Sequence, residues 1–499
     1  MTADVVDLFL ACASRSPDHP AVVASSGLAT YRDLERRVRA FAARFAERPE
    51  PRVLVALPPS VDAYACILAA GLAGGFHTPL NMASPPEKMR RIARQLRPDF
   101  IVAEPALLGA LAEAAEGADG FSPRQLDTDR QLPGSGRRHA LAYVFFTSGS
   151  TGDPKGVMVS RSALGHYVDW LKSFDISSGD RLSQQPSIAF DISMTDIFGA
   201  LCHGATLYPL DIEGDRLMPA RFIQRNRITI WNSTPSAIGL MMQARQVTAS
   251  NLSSVRLFNF CGEPLLREHL DSLFAAVPGA EIQNTYGPTE ATVSVTALRL
   301  RAGSYSGHCR ASVALGEPVD GMRIVLANGP SPDEGEIVIL GPQLAEGYWN
   351  DPERTAAAFR PVPEAENRRG YFTGDWARRI DGELYFKERI DFQVKVRGHR
   401  VELDEVAAAI GACGHPVACV FKRGEALAAV VEGESGGGGR PGAALRSALG
   451  AKLEPHAVPE RILFVRRIPR NENDKLDRNR AAALLDDHAR EKNGQARSG

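Results

Sequence analysis

What this chain lacks narrows what it can be. It has no long apolar run. The longest uncharged stretch, residues 63–76, falls short of the roughly 20 residues a membrane helix needs and reads as a buried helix. No sign of charge dominates, since 58 Lys and Arg stand against 59 Asp and Glu, so nothing would draw the whole molecule onto nucleic acid or an anionic membrane. Cysteines are few, odd in number and scattered, at Cys12, Cys66, Cys202, Cys261, Cys309, Cys413 and Cys419. That usage argues against a disulfide scaffold and suits a reducing compartment. Cys413-Gly-His415-Pro-Val-Ala-Cys419 offers three zinc ligands, but at poor spacing. The start, Met1-Thr2-Ala3-Asp4, shows no basic segment followed by an apolar run, so a cytoplasmic location is expected. No Gly-Lys-Ser or Gly-Lys-Thr occurs, which excludes a Walker A loop.

What is present is an ordinary globular composition, 44% hydrophobic and 23% charged, over 499 residues, enough for two or three domains. Short runs rich in Val, Ile and Leu, such as Arg52–Leu57, Phe100–Ala103 and Arg227–Trp231, alternate with longer amphipathic stretches. That alternation predicts an α/β fold of layered subdomains with buried sheets. From about Gly335 short strands and turns take over, in Gly335–Leu340, Tyr371–Asp375 and Gly382–Phe386, which predicts a β-rich subdomain. The pattern changes again near Arg389-Ile390-Asp391. Residues 1–390 are therefore expected to form a large N-terminal domain, and residues 391–499 a small α+β C-terminal domain.

The most informative segment is Tyr143-Val-Phe-Phe-Thr147-Ser148-Gly149-Ser150-Thr151-Gly152-Asp153-Pro154-Lys155-Gly156. An apolar strand ends at Phe146, and small, hydroxylated or turn-forming residues lead to a lysine. A helix is predicted from about Ser162, with Leu164, Tyr167, Val168, Leu171 and Phe174 on one face. Glycines bring backbone N–H groups close to an anion, hydroxyls add donors and lysine adds charge, so the segment reads as a phosphate loop. A lone Ser/Gly loop is usually only a solvent loop; the buried strand before it and the lysine after it favour phosphate.

Here the chain resembles the adenylate-forming superfamily of acyl-CoA synthetases, luciferases and nonribosomal peptide synthetase adenylation domains. Similar motifs recur in the family's order at Thr147–Lys155, Tyr286–Glu290, Tyr371–Asp375, Arg389–Arg400 and Lys475. The resemblance implies ATP with Mg²⁺. It puts phosphates against Thr147, Ser148, Gly149, Ser150, Thr151, Gly152 and Lys155. In Asn284-Thr285-Tyr286-Gly287-Pro288-Thr289-Glu290 it places the Tyr286 ring on adenine, Thr289 on phosphate and Glu290 on Mg²⁺. Asn284, Thr285 and Gly287, together with Gly262, Glu263 and Pro264, complete the implied nucleotide site. A carboxylate suits a hard cation that also binds phosphate. Asp375 matches the ribose-binding carboxylate, and an acceptor-only group suits two adjacent hydroxyls. Arg389 matches an arginine near ribose and phosphate, although Glu388 stands where the family has Gly. Asp391 falls at the family's hinge, about which the small C-terminal domain moves. Lys475 matches the catalytic lysine, acting with Thr147 and Glu290, and Asp474 replaces the usual Gly before it. The loop at Gly398 would line the thiol tunnel. Read alone, Tyr286–Glu290 is as often a plain turn, and Lys475 a solvated charge.

Phe190-Asp191-Ile192-Ser193 precedes a helix with apolar Met194, Ile197, Phe198 and Leu201, and Ser193 is expected to cap it. In amino-acid-activating members an Asp at the Asp191 position pairs with the substrate ammonium. Phe258-Asn259-Phe260-Cys261-Gly262-Glu263 is similar to D-alanine–carrier-protein ligases, in which the cysteine lies against the alanine side chain. A buried Cys acts as a small hydrophobe, so packing fits it better than nucleophilic catalysis. The same resemblance adds Ile192, Thr195, Asn232, Asn259, Thr285, Val293 and Ser294 to the pocket. D-alanine leads, with glycine, L-alanine, serine and 2-aminobutyrate open. The implied product is an aminoacyl-adenylate, passed to the phosphopantetheine thiol of a separate acyl or peptidyl carrier protein by a monomeric enzyme that uses neither nucleic acid nor membrane insertion. An acyl-CoA ligase, or a biosynthetic adenylation enzyme for another small L-amino acid, is the rival reading.

Overall fold

The computed structural model describes residues 3–127, 139–147, 153–389, 393–433, 441–470, 476–477 and 480–486. Contacts divide the chain into two units. The first is Met1–Met82, Arg90–Phe146 and Lys155–Ile390, and the second is Ala83–Met89, Thr147–Pro154 and Asp391–Gly499. The fold is mixed α/β, with several sheets.

Two sheets dominate the first unit. One has nine strands. Its inner strands Pro20–Ala24, Thr206–Pro209, Arg181–Gln184, Ile230–Ser233, Leu257–Phe260 and Glu281–Tyr286 run parallel, and antiparallel strands close both edges. The other has seven strands around Arg52–Ala56, Phe76–Pro79, Phe100–Ala103 and Leu141–Thr147. The inner strands are short and apolar because both faces of a parallel sheet are covered. Helices Val5–Arg15, Arg161–Trp170 and Ser193–Leu201 share one core with strands of both sheets. Every residue of Ser193–Leu201 is buried. A second core, around Trp231, Phe258, Phe260 and Leu270, covers the opposite face of the nine-stranded sheet.

Local signals set the element ends. Thr30 and Asp33 form a reciprocal capping box at the start of Tyr31–Phe45, and Ser60 caps Val61–Leu72. The apolar run at 63–76 divides into this helix and the strand Phe76–Pro79. The strand expected at 227–231 begins at Ile230, and the β-rich sheet begins at Arg323 rather than near Gly335. A strand, Lys155–Ser160, comes between the glycine-rich loop and the helix expected after it; six residues ending in a helix cap give too short a period-2 signal to stand out.

The second unit contains the hairpin Gln393–Val396 and His399–Glu402 and a three-stranded sheet with helices Leu403–Gly411 and Pro441–Gly450. Arg397 and Gly398, both at positive φ, form the hairpin's two-residue turn. Among the described residues no helix is long and apolar enough to cross a membrane.

Arg161 joins distant parts of the first unit. Its guanidinium donates to the carbonyls of Gly71, Gly75 and His139 at 2.8–3.0 Å and pairs with Asp4 at 3.0 Å. Arg161→Ala strips those acceptors of their shared donor. It is expected to cost about 3 kcal/mol, seen as a lower midpoint of the first thermal transition.

Candidate active site

The parallel strands of the nine-stranded sheet deliver the site. Their carboxyl ends point one way, and in open α/β sheets ligands bind at that edge. In register, Asn232 lies beside Asn259, and Asn259 beside Gln283. Asn259 Nδ2 donates to Asn232 Oδ1 at 2.7 Å, and Asn232 Nδ2 donates to the carbonyl of Ile192 at 3.3 Å. Three residues predicted to line the amino-acid pocket are thus one hydrogen-bonded chain. The next residues of the same strands carry the rest. Thr285 Oγ1 donates to the Phe260 carbonyl at 2.9 Å, and Cys261 Sγ lies 3.5 Å from Ser294 Oγ and 3.8 Å from the Val293 carbonyl.

Asp191, half-buried, sits just before the helix Ser193–Leu201. Ser193 does not cap that helix: the capping position is Ile192, and Ser193 Oγ donates to the Phe190 carbonyl at 2.7 Å. The tight turn at Phe190–Ser193 gives the hydroxyl a nearer acceptor. Thr195 meets Tyr167 Oη at 2.6 Å. Burial holds the Tyr167 hydroxyl well above its usual pKa; the Thr195 bond opposes this, and the nearby Cys261, Asp191 and Asp196 reinforce it. Thr195, four residues after Asp191, thus meets Tyr167 directly, and the turn carrying Asp191 and Ile192 is tied to the pocket strands through Asn232.

The second cluster is built on a carboxylate. Asp375 sits in the strand Arg368–Ile380, opposite Arg389 in the neighbouring strand. Tyr286 Oη donates to Asp375 Oδ2 at 2.6 Å, and Arg389 donates to Oδ1 at 2.7 Å. Arg389 also reaches the Thr373 carbonyl at 3.1 Å. Glu388, which replaces the family's Gly, sits beside an irregularity in the strand pairing with its side chain 65% exposed, and Arg389 still faces Asp375. A carboxylate has about four acceptor positions, so Tyr286 and Arg389 leave two for a diol.

The third cluster is a buried ion pair. Lys155 Nζ lies 3.1 Å from Glu290 Oε1, with the side chains 9% and 0% exposed. Tyr348 Oη donates to the same oxygen at 2.9 Å, and the lysine lies 5.1 Å from the Tyr348 ring centroid. Lys155 is followed by Gly156 because the strand Gly347–Tyr348 packs there: a Cβ would come within 3.0 Å of Trp349 and 2.9 Å of Val144. The chemistry fits Mg²⁺ and phosphate, since a hard carboxylate oxygen and a buried ammonium are the groups each would replace or join.

Other predicted residues are engaged in the scaffold. Asn284 Nδ2 donates to the Ala314 carbonyl at 2.7 Å, and Glu263 Oε2 accepts the Ser236 N–H at the start of the helix Pro235–Gln243 at 3.0 Å. Gly262 adopts φ 96°, beside Pro264 in the loop after Leu257–Phe260, while Gly287 and Thr289 follow Glu281–Tyr286. Thr147 ends the strand Leu141–Thr147, and its buried hydroxyl has no partner among the described residues. Ser148, Gly149, Ser150, Thr151, Gly152, Asp391, Asp474 and Lys475 lie outside the described residues. The sequence reading missed Tyr167, Tyr348 and Asp196. Asp196 had a signal, a carboxyl among the apolar positions of a helix; it is buried, and desolvation holds it well above the usual carboxylate range. Among the described residues no His, Cys, Asp or Glu cluster could hold a metal on its own, the Cys413–Cys419 stretch included.

Residues 9–349 match the family model described as AMP-binding enzyme. The chain belongs to that family. Its curated relatives include a D-alanine–D-alanyl carrier protein ligase of Bacillus anthracis, 29% identical over 496 residues that cover 93% of this chain and 96% of the relative. Among solved structures, the Vibrio cholerae adenylation domain AlmE, in complex with glycyl-adenosine-5′-phosphate, aligns with TM-score 0.82 at 27% identity over 98% of both chains. IdnL7 aligns with TM-score 0.73 at 31% identity over 98% of this chain and 100% of its own. This AMP-binding enzyme is an adenylate-forming ligase, and the three clusters are its candidate site.

Asp375→Ala removes the acceptor set shared by Tyr286 and Arg389. AMP affinity measured by calorimetry is expected to fall about 10- to 100-fold, in line with about 1.5–3 kcal/mol for a charged hydrogen bond.

Proposed function

We propose that this AMP-binding enzyme uses ATP and Mg²⁺ to join a small amino acid to AMP, and then passes the aminoacyl group to the phosphopantetheine thiol of a separate carrier protein. D-alanine is the leading substrate. The observation that carries the reading is the packing of Cys261 against Val293 and Ser294 beside the Asn259–Asn232–Ile192 hydrogen-bonded chain, which ties the turn carrying Asp191 to the same strands. A carboxyl side chain beside close-packed small side chains suits an ammonium on a short carbon skeleton and disfavours a fatty or aryl acid. The names of the relatives support it: one is a D-alanine–D-alanyl carrier protein ligase and another is bound to glycyl-adenosine-5′-phosphate.

In the first step the amino-acid carboxylate attacks the α-phosphorus of ATP. An acyl–phosphate bond forms, the α–β bridge breaks and pyrophosphate leaves. Asp375 accepts from the ribose hydroxyls and Tyr286 is the adenine platform, its ring fixed by the bond to Asp375. Lys155, with Ser148–Gly152, holds the outer phosphates. Glu290 would hold Mg²⁺, which when bound neutralises phosphate charge. Lys475 stabilises the charge that develops between carboxylate and α-phosphate. In the second step the thiol adds to the acyl carbon and AMP leaves, yielding a thioester. The Gly398 turn borders the thiol path and Asp391 is the hinge between domains 1–390 and 391–499. Activation lies in the phosphate leaving group, so no nucleophilic side chain is required.

A pyrophosphate-exchange panel with both alanine enantiomers, glycine, serine, 2-aminobutyrate and free fatty and aryl acids tests the reading. Exchange confined to small amino acids is expected, and exchange confined to fatty or aryl acids overturns it. Lys475→Ala should slow exchange by about 10²- to 10³-fold with ATP affinity retained, as measured by stopped-flow and calorimetry. Asp191→Ala should raise the amino-acid KM about 10- to 100-fold and leave the ATP KM nearly unchanged.

A further inference from the structure

The turn after Glu290 is strained. Thr292 and Val293, consecutive β-branched residues, hold φ of 56° and 69°. A branched Cβ crowds the backbone in this left-handed region, so two in succession persist only where surroundings enforce them. The turn is also tight. Val295 N–H donates to the Tyr286 carbonyl at 2.7 Å, and a Cβ on Gly287 would lie 2.6 Å from the Val293 carbonyl. Its outcome is the placement of Val293 and Ser294 against Cys261, whose Sγ meets the Val293 carbonyl at 3.8 Å and Ser294 Oγ at 3.5 Å.

One side chain enforces it. Gln343 is fully buried. Its Nε2 faces three carbonyls of the turn, donating to Ser294 at 2.8 Å with longer contacts to Ala291 at 3.4 Å and Thr292 at 3.5 Å. Its own backbone carbonyl accepts from Thr292 Oγ1 at 2.7 Å. Three acceptors around one nitrogen fix the amide orientation, so Oε1 is the atom that meets His166 Nδ1 at 3.0 Å, and the imidazole donates. Two residues on, the Ala345 N–H donates to the Glu290 carbonyl at 2.9 Å, so the same segment braces both ends of the turn.

We infer that Gln343, oriented by His166, is a positioning residue that holds the Thr292–Val293 turn in its left-handed form and so sets the width of the amino-acid side-chain subsite between Cys261, Val293 and Ser294. This rests on the substrate reading above for the word "subsite"; the clamp itself rests on the hydrogen bonds. Without the two amide donors, the turn relaxes toward ordinary φ, the Val293–Ser294 backbone leaves Cys261, and the site widens.

Gln343→Met keeps length and apolar bulk and removes the donors. Two readouts decide. The first is the alkylation rate of Cys261 by iodoacetamide, followed by peptide mass spectrometry, which needs no substrate. It should rise about tenfold or more as local opening becomes cheaper. The second is pyrophosphate exchange: the KM for the preferred small amino acid should rise about tenfold, the ATP KM should stay within about threefold, and preference over valine should narrow. Adding Thr292→Gly, which holds positive φ without strain, should restore both readouts at least half-way. An unchanged Cys261 rate in folded Gln343→Met overturns the clamp. So does a KM loss shared equally by ATP and amino acid, or a Thr292→Gly addition that restores nothing. If Gln343→Met does not fold, His166→Phe is judged by the same two readouts and criteria. Wild type without amino-acid-dependent exchange overturns the substrate reading, and the Cys261 rate still decides the clamp.

Discussion

Asn232, Asn259 and Gln283 lie side by side because the strands that carry them run parallel and in register. Parallel strands joined by right-handed crossovers deliver every connecting loop to the same edge. The loops that begin at Thr234, Cys261 and Gly287 therefore leave three adjacent strands, with neighbouring strands about 4.8 Å apart. Slipping the Asn259 strand by one residue would turn Asn259 and Cys261 together to the other face and break the amide chain to Ile192. The two cores that cover the sheet's faces, not the polar groups at its edge, make that register expensive to change.

Against this fixed edge the polar groups are held by shared partners. Asp375 takes Tyr286 and Arg389, one on each oxygen, and keeps acceptor capacity for a ligand. Lys155 and Glu290 face each other at 3.1 Å, where burial penalises an isolated charge. Removing one member of either group disturbs a buried charge network, a change that costs stability as well as any ligand chemistry. The strained turn at Thr292–Val293 is a different device. It stores about 1–3 kcal/mol at each residue. It is held by a neutral amide, which can satisfy several carbonyls without bringing a charge near the Lys155–Glu290 pair.

Much of the chemistry was legible in the residue order. The motifs at Tyr286–Glu290 and Asp375 name side chains whose roles depend on type, and the strand runs Arg52–Leu57 and Phe100–Ala103 announce themselves by composition. The strand Lys155–Ser160 was not legible, because six residues beside a glycine-rich loop carry no period long enough to read. Ser193 looked like a helix cap by residue type, and the local turn claimed its hydroxyl first. Tyr167 looked like one apolar position on a helix face; only its hydroxyl, meeting Thr195, brings it to the candidate site.

By itself, then, the sequence determined the class of fold, the order of the motifs and, through the family resemblance those motifs carry, the side chains proposed for phosphate, ribose and ammonium, since periodicity and side-chain type are read within a few residues. Tertiary structure alone decided the partnerships. Tyr286 with Asp375, Lys155 with Glu290, Glu290 with Tyr348, and Gln343 with the turn at Thr292–Val293 join positions 49 to 135 residues apart. The physical reason is that a hydrogen bond is specified by where the backbone puts its two ends, and in this chain that is set by sheet register and buried packing.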